Sequence, residues 1–370
     1  MASSSPESGF QISHDDHSLM SVQELTKKPL VCVPQQYVRT DREPAATFSN
    51  KADHSFPTIP TIDMNNLLLS ETADFELEKL HSTCKDWGIF QLVNHGVSPS
   101  LLEKLNHEIE AFFKLPMAEK LKYKIRPGDT EGYGSIVRTD DQKRDWGDRM
   151  YMITNPITKK KPHLFPELPS SLRTTLESYL VDLEKLAMTL FVLLAKALKI
   201  EKKIMEELFE DGMRSMRMNY YPPCPQPELV IGLTPHSDVT GITILHQITG
   251  LNGLQIKKDG VWIPVNFIQD AFVVNVGDIL EILSNGLYKS IEHRVMANSS
   301  KERISLAVFV NPTYESEIGP LASLVSPQNP PLFKKIGMEK YVNDFISRRK
   351  LDGKSYLEQM RIKNTNNNIA

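Results

Sequence analysis

The hydrophobic period of the chain changes once, near Gly212, and that change limits the folds open to it. Up to that point the apolar residues repeat at helical spacing. In "TADFELEKLHSTCKDWG" they fall at Phe75, Leu77, Leu80, Cys84 and Trp87, and Gly88 supplies the C-terminal glycine. A strand-like "IFQLV" follows, and "SPSLLEKLNHEIEAFFKLP" then opens with Ser98 as a cap and Pro99 in the first turn and ends at Pro116. From about Ser170 to Ile200 a long helix carries Leu172, Leu176, Leu180, Leu183 and Leu186 as core residues. After Gly212 the period is two. "LQIKKDGVWIPV" sets Asp259-Gly260 between two alternating runs, the signature of a tight hairpin. "AFVVNV" reads as a buried strand, and Asp278 with Glu281 reads as the start of a short capped helix closed by Gly286. "YKSIEHRVMA" and "RISLAVFVNP" supply two more strands, with a last helix in "MEKYVNDFISRRKL". Short strands at this spacing, with helices on either side in the chain, predict an α+β protein with a sandwich or jelly-roll core. The expected division is a mobile N-terminal extension over 1–56, a mostly helical region over 57–211, the jelly-roll core over 212–313, and a helical segment with a polar tail over 314–370.

Composition narrows the partners. A chain of 370 residues with net charge -3 and 40% hydrophobic residues has no electrostatic bias toward nucleic acid or a membrane surface, so a small molecule is the expected partner and no obligate protein partner is indicated. The longest apolar run, "AMTLFVLLA" from Ala187 to Ala195, is too short to span a bilayer, and the opening residues lack the apolar core of a signal peptide. Three cysteines, Cys32, Cys84 and Cys224, suggest no disulfide framework. A reducing, cytoplasmic setting is expected.

The chemistry is concentrated in "LTPHSDVTG". If this segment is extended, His236 and Asp238 share a face and can reach one bound object. His293, in "SIEHRV", is far along the chain, but a jelly roll can bring such strands together. Two imidazoles and one carboxylate on one side of a metal leave three positions open, the arrangement of non-haem Fe(II) oxygenases. Zinc competes, since the same donors make a hydrolytic site with a bound water. A hydrolase would also need a general base, and Glu292, beside His293, would point to the opposite strand face. Arg303 and Ser305 share a face of "RISLAVF" and are equipped to hold a carboxylate, a charge-assisted contact of about 1.5 to 3 kcal/mol. That pair favours a carboxylate-bearing cosubstrate.

Four motifs stand in order: "MNYYPPCPQPELVIGLTPHSD", "LQIKKDGVWIPV", "NVGDILEILSNGLYKSIEHRV" and "RISLAVFVNP", preceded by "DWGIFQLVNHGV". With this text the chain resembles the plant Fe(II)- and 2-oxoglutarate-dependent dioxygenases over about residues 57 to 360. Within them it most resembles the senescence-related and morphinan-alkaloid O-demethylase group. The resemblance implies a double-stranded β-helix core, Fe(II), 2-oxoglutarate and O2 as cofactor and cosubstrates, ascorbate as reductant, and no protein general acid or base. It implies His236, Asp238 and His293 as iron ligands, and Arg303, Ser305, Tyr221 and Asn219 around 2-oxoglutarate. Phe309, Tyr151 and Arg149 match substrate-pocket positions, while Asn311 stands where flavonoid-type members often have an acidic residue.

The expected reaction is hydroxylation or O-demethylation of a lipophilic aromatic plant metabolite, with succinate and CO2 as coproducts. Two alternatives within the family are a flavonoid- or hormone-oxidising enzyme and an oxidase that draws electrons from ascorbate or substrate. A non-catalytic binding protein on the same fold is a third. Other conspicuous residues have plainer readings: His95 as a turn residue, Trp87, Trp146 and Trp262 as packing, Cys224 as a packed small residue, and Lys159 to Lys161 as a solvated face. His246 is left facing either the core or the pocket.

Overall fold

The computed structural model describes residues 21–40, 57–69, 71–135, 143–347 and 356–363. The polar end of the chain over 364–370 and most of the 1–56 extension lie outside them. The change of period at Gly212 marks a change in what the chain supplies, though the main sheet draws on both sides of it. Eight strands make that sheet, in the order Thr61–Asp63, Ile89–Val93, Phe272–Val276, Ile242–Gln247, Arg303–Val310, Arg214–Tyr221, Asp148–Asn155 and Gly132–Tyr133. A second sheet of four runs Leu233–His236, His293–Val295, Leu254–Lys258, Val261–Pro264. The hairpin read at Asp259-Gly260 is present, with φ of 51° and 80° at the two residues, the doubly positive turn whose twist matches its strands.

Strand periodicity sorts the two faces of the large sheet. Met150, Met152, Met216, Met218, Ile244, Leu306 and Val308 join one core cluster with Leu105, Ile109, Leu176, Leu183 and Phe191 from the helices Pro99–Lys114 and Ser170–Leu198. Their sequence neighbours point toward the small sheet. Part of that interior is apolar, built from Ile89, Val273, Ile256, Ile263, Val265 and Val295. Among the described residues no helix is long and apolar enough to cross a membrane.

Three local expectations are corrected. Residues 21–40 are packed rather than mobile: Val22, Tyr37 and Trp146 are buried together, and the helix Val22–Thr26 rests on the Asp148 carboxylate through the Val22 and Gln23 amides at 2.8 and 3.1 Å. The short helix Asp278–Leu283 is preceded by Gly277, not capped by Asp278, whose carboxylate instead accepts from Ser290 Oγ at 2.7 Å. A Cβ on Gly277 would lie 2.2 Å from the Thr240 carbonyl, so only glycine permits this approach. The lysines of 159–161 are unburied, as a solvated face requires, with Lys159 over Tyr314, Lys160 over Phe165 and Lys161 paired with Asp129 at the surface. Ser98 precedes its helix without a side-chain cap, and its hydroxyl meets Ser100 Oγ at 2.8 Å.

Candidate active site

His236 ends the strand Leu233–His236, and His293 begins the strand His293–Val295 directly opposite it in register. The two rings therefore lie side by side, centroids 4.3 Å apart. Asp238 does not continue the strand. It stands two residues past the strand end, in an irregular segment before the bend at 239–240, and its carboxylate still reaches both imidazoles. His236 Nε2 and His293 Nε2 lie 3.5 and 3.8 Å from Asp238 Oδ1, and the ligand atoms of the three fall within 4.8 Å of one another.

Hydrogen bonds decide which atoms are left for a metal. His236 Nδ1 donates to the Thr234 carbonyl at 2.8 Å and His293 Nδ1 to the Ile291 carbonyl at 3.2 Å. Each ring thus keeps its proton on Nδ1 and presents a bare Nε2 lone pair toward the same point. Asp238 Oδ2 accepts from Thr243 Oγ1 at 2.7 Å and from Asn275 Nδ2 at 2.9 Å, which leaves Oδ1 for the shared point. Burial works against the Asp238 charge, but the neighbouring imidazoles and the Asn275 amide outweigh it and hold the carboxyl below the usual range. Burial and the nearby His236 lower His293 to about 4, so its imidazole is neutral and can ligate at physiological pH. One carboxylate and two imidazoles that turn their Nε2 atoms to the same point fit a divalent iron.

The large sheet supplies the wall opposite. Arg303 pairs in register with Tyr221, and Ser305 with Asn219. Arg303 is 2% exposed, its Nη1 donates to Ser305 Oγ at 3.3 Å and its Nη2 to Gln247 Oε1 at 2.7 Å. The guanidinium lies over the Tyr221 ring at 5.3 Å, and Asn219 Nδ2 donates to Ser305 Oγ at 3.4 Å. Among the described residues Arg303 has no carboxylate partner, and its Nε has no acceptor. A buried cation in that state is costly unless an anion joins it, which suits the end carboxylate of a dicarboxylic cosubstrate.

Between the metal-ligand cluster and the outer strands lies a cavity of about 330 Å³. Phe309 and Tyr151 line it with ring centroids 6.4 Å apart, and Val342 and Phe345 of the helix Met338–Ile346 add apolar surface. Arg149 also lines it, its guanidinium 5.7 Å from the Tyr151 ring and bonded to the Gly134 and Thr130 carbonyls. Asn311 lies in the same wall.

Two residues of this wall escape a motif reading. Arg217 lines the cavity and donates from Nε to Asn219 Oδ1 at 2.5 Å. Gln247 sets Arg303, its own amide fixed by the Thr249 and Leu251 carbonyls. Alternation carried the signal for Arg217, two residues from Asn219, whereas Gln247 is placed by its register opposite Ser305, which no local pattern shows. The other histidines are elsewhere. His246 faces the helices, its Nε2 2.7 Å from Asn106 Oδ1 beside Phe272 and Tyr179. His95 is a turn residue, stacked on Phe272 at 3.9 Å and bonded to the Asp270 carbonyl. Glu292 points away, near Lys257. Trp146 and Trp262 are buried packing residues, and Cys224 is buried with its thiol pushed up to about 11 by burial.

Comparison with known proteins agrees with this geometry. The profile of the 2OG-Fe(II) oxygenase superfamily matches residues 213–312, and that of the non-haem dioxygenase in morphine synthesis N-terminal region matches residues 59–169. A codeine O-demethylase of Papaver somniferum is 50% identical over 93% of this chain and 96% of its own length. An oxoglutarate-dependent flavonoid 7-O-demethylase of Ocimum basilicum is 47% identical over 93% of this chain and 91% of its own. The crystal structure of JOX2 in complex with 2OG, Fe and JA superposes with a TM-score of 0.83 at 36% identity, covering 93% of this chain and 98% of that one. The chain belongs to the 2OG-Fe(II) oxygenase superfamily, built on a double-stranded β-helix, and is an oxidoreductase that uses Fe(II) and 2-oxoglutarate.

Proposed function

We propose that His236, Asp238 and His293 hold Fe(II), that Arg303, Ser305, Tyr221 and Asn219 hold 2-oxoglutarate, and that the enzyme O-demethylates or hydroxylates a lipophilic aromatic plant metabolite. One observation carries the reading: a buried guanidinium with no carboxylate partner among the described residues stands in the same interior as three converging ligand atoms. Iron, when bound, supplies the activation of dioxygen that couples oxidative decarboxylation of 2-oxoglutarate, to succinate and CO2, to oxidation of a substrate C–H bond. The protein's own tasks are orientation and exclusion of water. Thr243 and Asn275 fix the Asp238 carboxylate, the Thr234 and Ile291 carbonyls fix the two rings, and Gln247 fixes Arg303. No proton-transfer residue is required.

The aromatic substrate is supported by Phe309, Tyr151, Val342 and Phe345 around a cavity of about 330 Å³, and by the alkaloid and flavonoid demethylases among the relatives. A second reading, a phenolic or acidic substrate, is favoured by Arg217 and Arg149 in the same wall. Residues 212–313 are read as the catalytic core. A cytoplasmic location without nucleic-acid, membrane or obligate protein partners belongs to the same reading and rests on the near-neutral charge.

Incubation of the Fe(II) protein with methoxylated aromatics, 2-oxoglutarate and ascorbate tests it. A product lighter by one methylene, with formaldehyde, marks demethylation, and one heavier by an oxygen marks hydroxylation. Succinate should form in step with product. Product without succinate would point to an oxidase, and turnover confined to aliphatic acids would refute the aromatic pocket.

A further inference from the structure

We infer that Arg39, in the N-terminal segment, is a positioning residue for His236 and sets the iron affinity of the site. The inference rests on the reading of His236 as a ligand.

His236 sits on a weak support. Its strand, Leu233–His236, is four residues long and outermost in the small sheet, with only His293–Val295 beside it among the described residues and an irregular register between His293 and Val295. All four residues are part-exposed. An edge strand of this kind lacks a hydrogen-bonded neighbour on one side, so its backbone drifts unless something else holds it. The drift matters here because the Thr234 carbonyl is what orients the His236 ring.

The missing neighbour is replaced by side chains. Asp145 Oδ1 accepts from the Thr234 amide at 3.0 Å and from Thr234 Oγ1 at 2.5 Å. Arg39 Nη2 reaches the same oxygen at 3.1 Å and also donates to Thr234 Oγ1. One guanidinium thus neutralises the carboxylate that grips Thr234 and touches Thr234 itself. Arg39 is nearly buried, its side chain 10% exposed. Its own backbone is docked: the Arg39 amide donates to the Leu229 carbonyl at 2.8 Å, and the Arg144 amide donates to Gln36 at 2.9 Å. Behind it, Tyr37 meets Trp146 edge-on at 5.2 Å, and Val22 and Gln23 hold Asp148. The chain of contacts runs from Arg39 through Asp145 and Thr234 to His236.

Partners one bond removed from a metal ligand typically change metal affinity about 10- to 100-fold when lost, and Arg39 is one link further out, so an effect of about 5- to 10-fold is expected. The test is anaerobic equilibrium dialysis of the full-length metal-free protein against ferrous ion, with folding followed by circular dichroism. Arg39→Ala should bind Fe(II) about 5- to 10-fold more weakly, and Asp145→Asn should shift the same way. Arg39→Lys, which keeps a cation for Asp145, should recover most of the loss. Leu183→Ala, in the apolar core on the helix Ser170–Leu198, should lower thermal stability without moving the iron constant. Wild-type iron affinity in Arg39→Ala and Asp145→Asn, with lowered stability alone, would reduce the contact to a structural tie and overturn the inference. Failure of the wild-type protein to bind Fe(II) would overturn the ligand assignment itself, a distinct result.

Discussion

On its helix side the eight-stranded sheet presents Met150, Met152, Met216, Met218, Leu306 and Val308, all 2% exposed or less, whereas the next residues along the same strands present Arg149, Tyr151, Arg217, Asn219, Ser305 and Phe309 to the cavity or the cosubstrate site. The first set makes a continuous apolar core with the helices, and the second makes hydrogen bonds among its own members. The stabilising term therefore comes chiefly from one face, at about 25 cal/mol per Å² of apolar surface removed from water, while the other face keeps desolvated polar groups poised for ligands. Substitutions should divide accordingly, those on one face moving stability and those on the other moving binding and turnover.

The largest effect expected on the chemical side is Asp238→Ala. It removes the only carboxylate of the ligand set, and turnover should fall by more than about a thousandfold, roughly 4 kcal/mol in the barrier, while circular dichroism reports a folded chain. Retained activity at reduced iron content would sink the assignment. Its counterpart is Leu306→Ala, on a residue with no exposed surface. Truncation there should cost about 2 to 5 kcal/mol in urea unfolding and leave the iron and 2-oxoglutarate constants unchanged below the transition. If those constants fall with stability, the two faces are not separable.

A pH experiment sharpens the same contrast. His246 lies on the helix side, where burial and then the nearby His95 lower it to about 4 from an ordinary 6.5. The unfolded chain takes up a proton near pH 6.5 and the folded chain only near 4, so the folded state loses stability as pH falls through that window. The contribution is fully present above pH 6.5 and is lost by about pH 4, on the order of 3 kcal/mol. His246→Gln should flatten the dependence of unfolding free energy on pH between those limits. An unchanged slope would assign the acid sensitivity to other groups.

Much of this division was legible in the sequence, because period two is a local property. Arg303, Ser305 and Phe309 share a parity, as do Asn219 and Tyr221, and the turn at Asp259-Gly260 needs nothing beyond its two residues. What stayed hidden depends on contacts distant in the chain. The docking of residues 21–40 relies on Asp148 and Trp146, more than a hundred positions away, so polar composition alone suggested a mobile segment. Asp238 leaves its strand because Asn275 and Thr243 hold its carboxylate and its carbonyl accepts from the Asp278 amide, contacts that a spacing of two cannot reveal. The Asp278 cap failed for a similar reason, since Ser290 competes for that side chain.

Arg303→Leu produces the smallest energy change and the sharpest separation of the two effects. The guanidinium is buried, bonded to Gln247 and Ser305, and without a carboxylate partner among the described residues. Its loss should weaken 2-oxoglutarate binding by about 10- to 100-fold, the equivalent of the 1.5 to 3 kcal/mol that a charge-assisted hydrogen bond contributes. Stability in the absence of ligands should stay level or rise, because an apolar side chain replaces an uncompensated buried charge. That sign is opposite to the one expected for Leu306→Ala, its neighbour three positions along the same strand on the other face. Arg303→Lys should fall between wild type and Leu, since an ammonium restores the charge without the two-pronged fork. Calorimetric titration of 2-oxoglutarate into the Fe(II) protein, paired with urea unfolding of the metal-free form, reads both quantities. Unchanged cosubstrate affinity would show that another residue anchors the carboxylate, and a collapse of stability would make Arg303 a structural residue on the face where chemistry is expected.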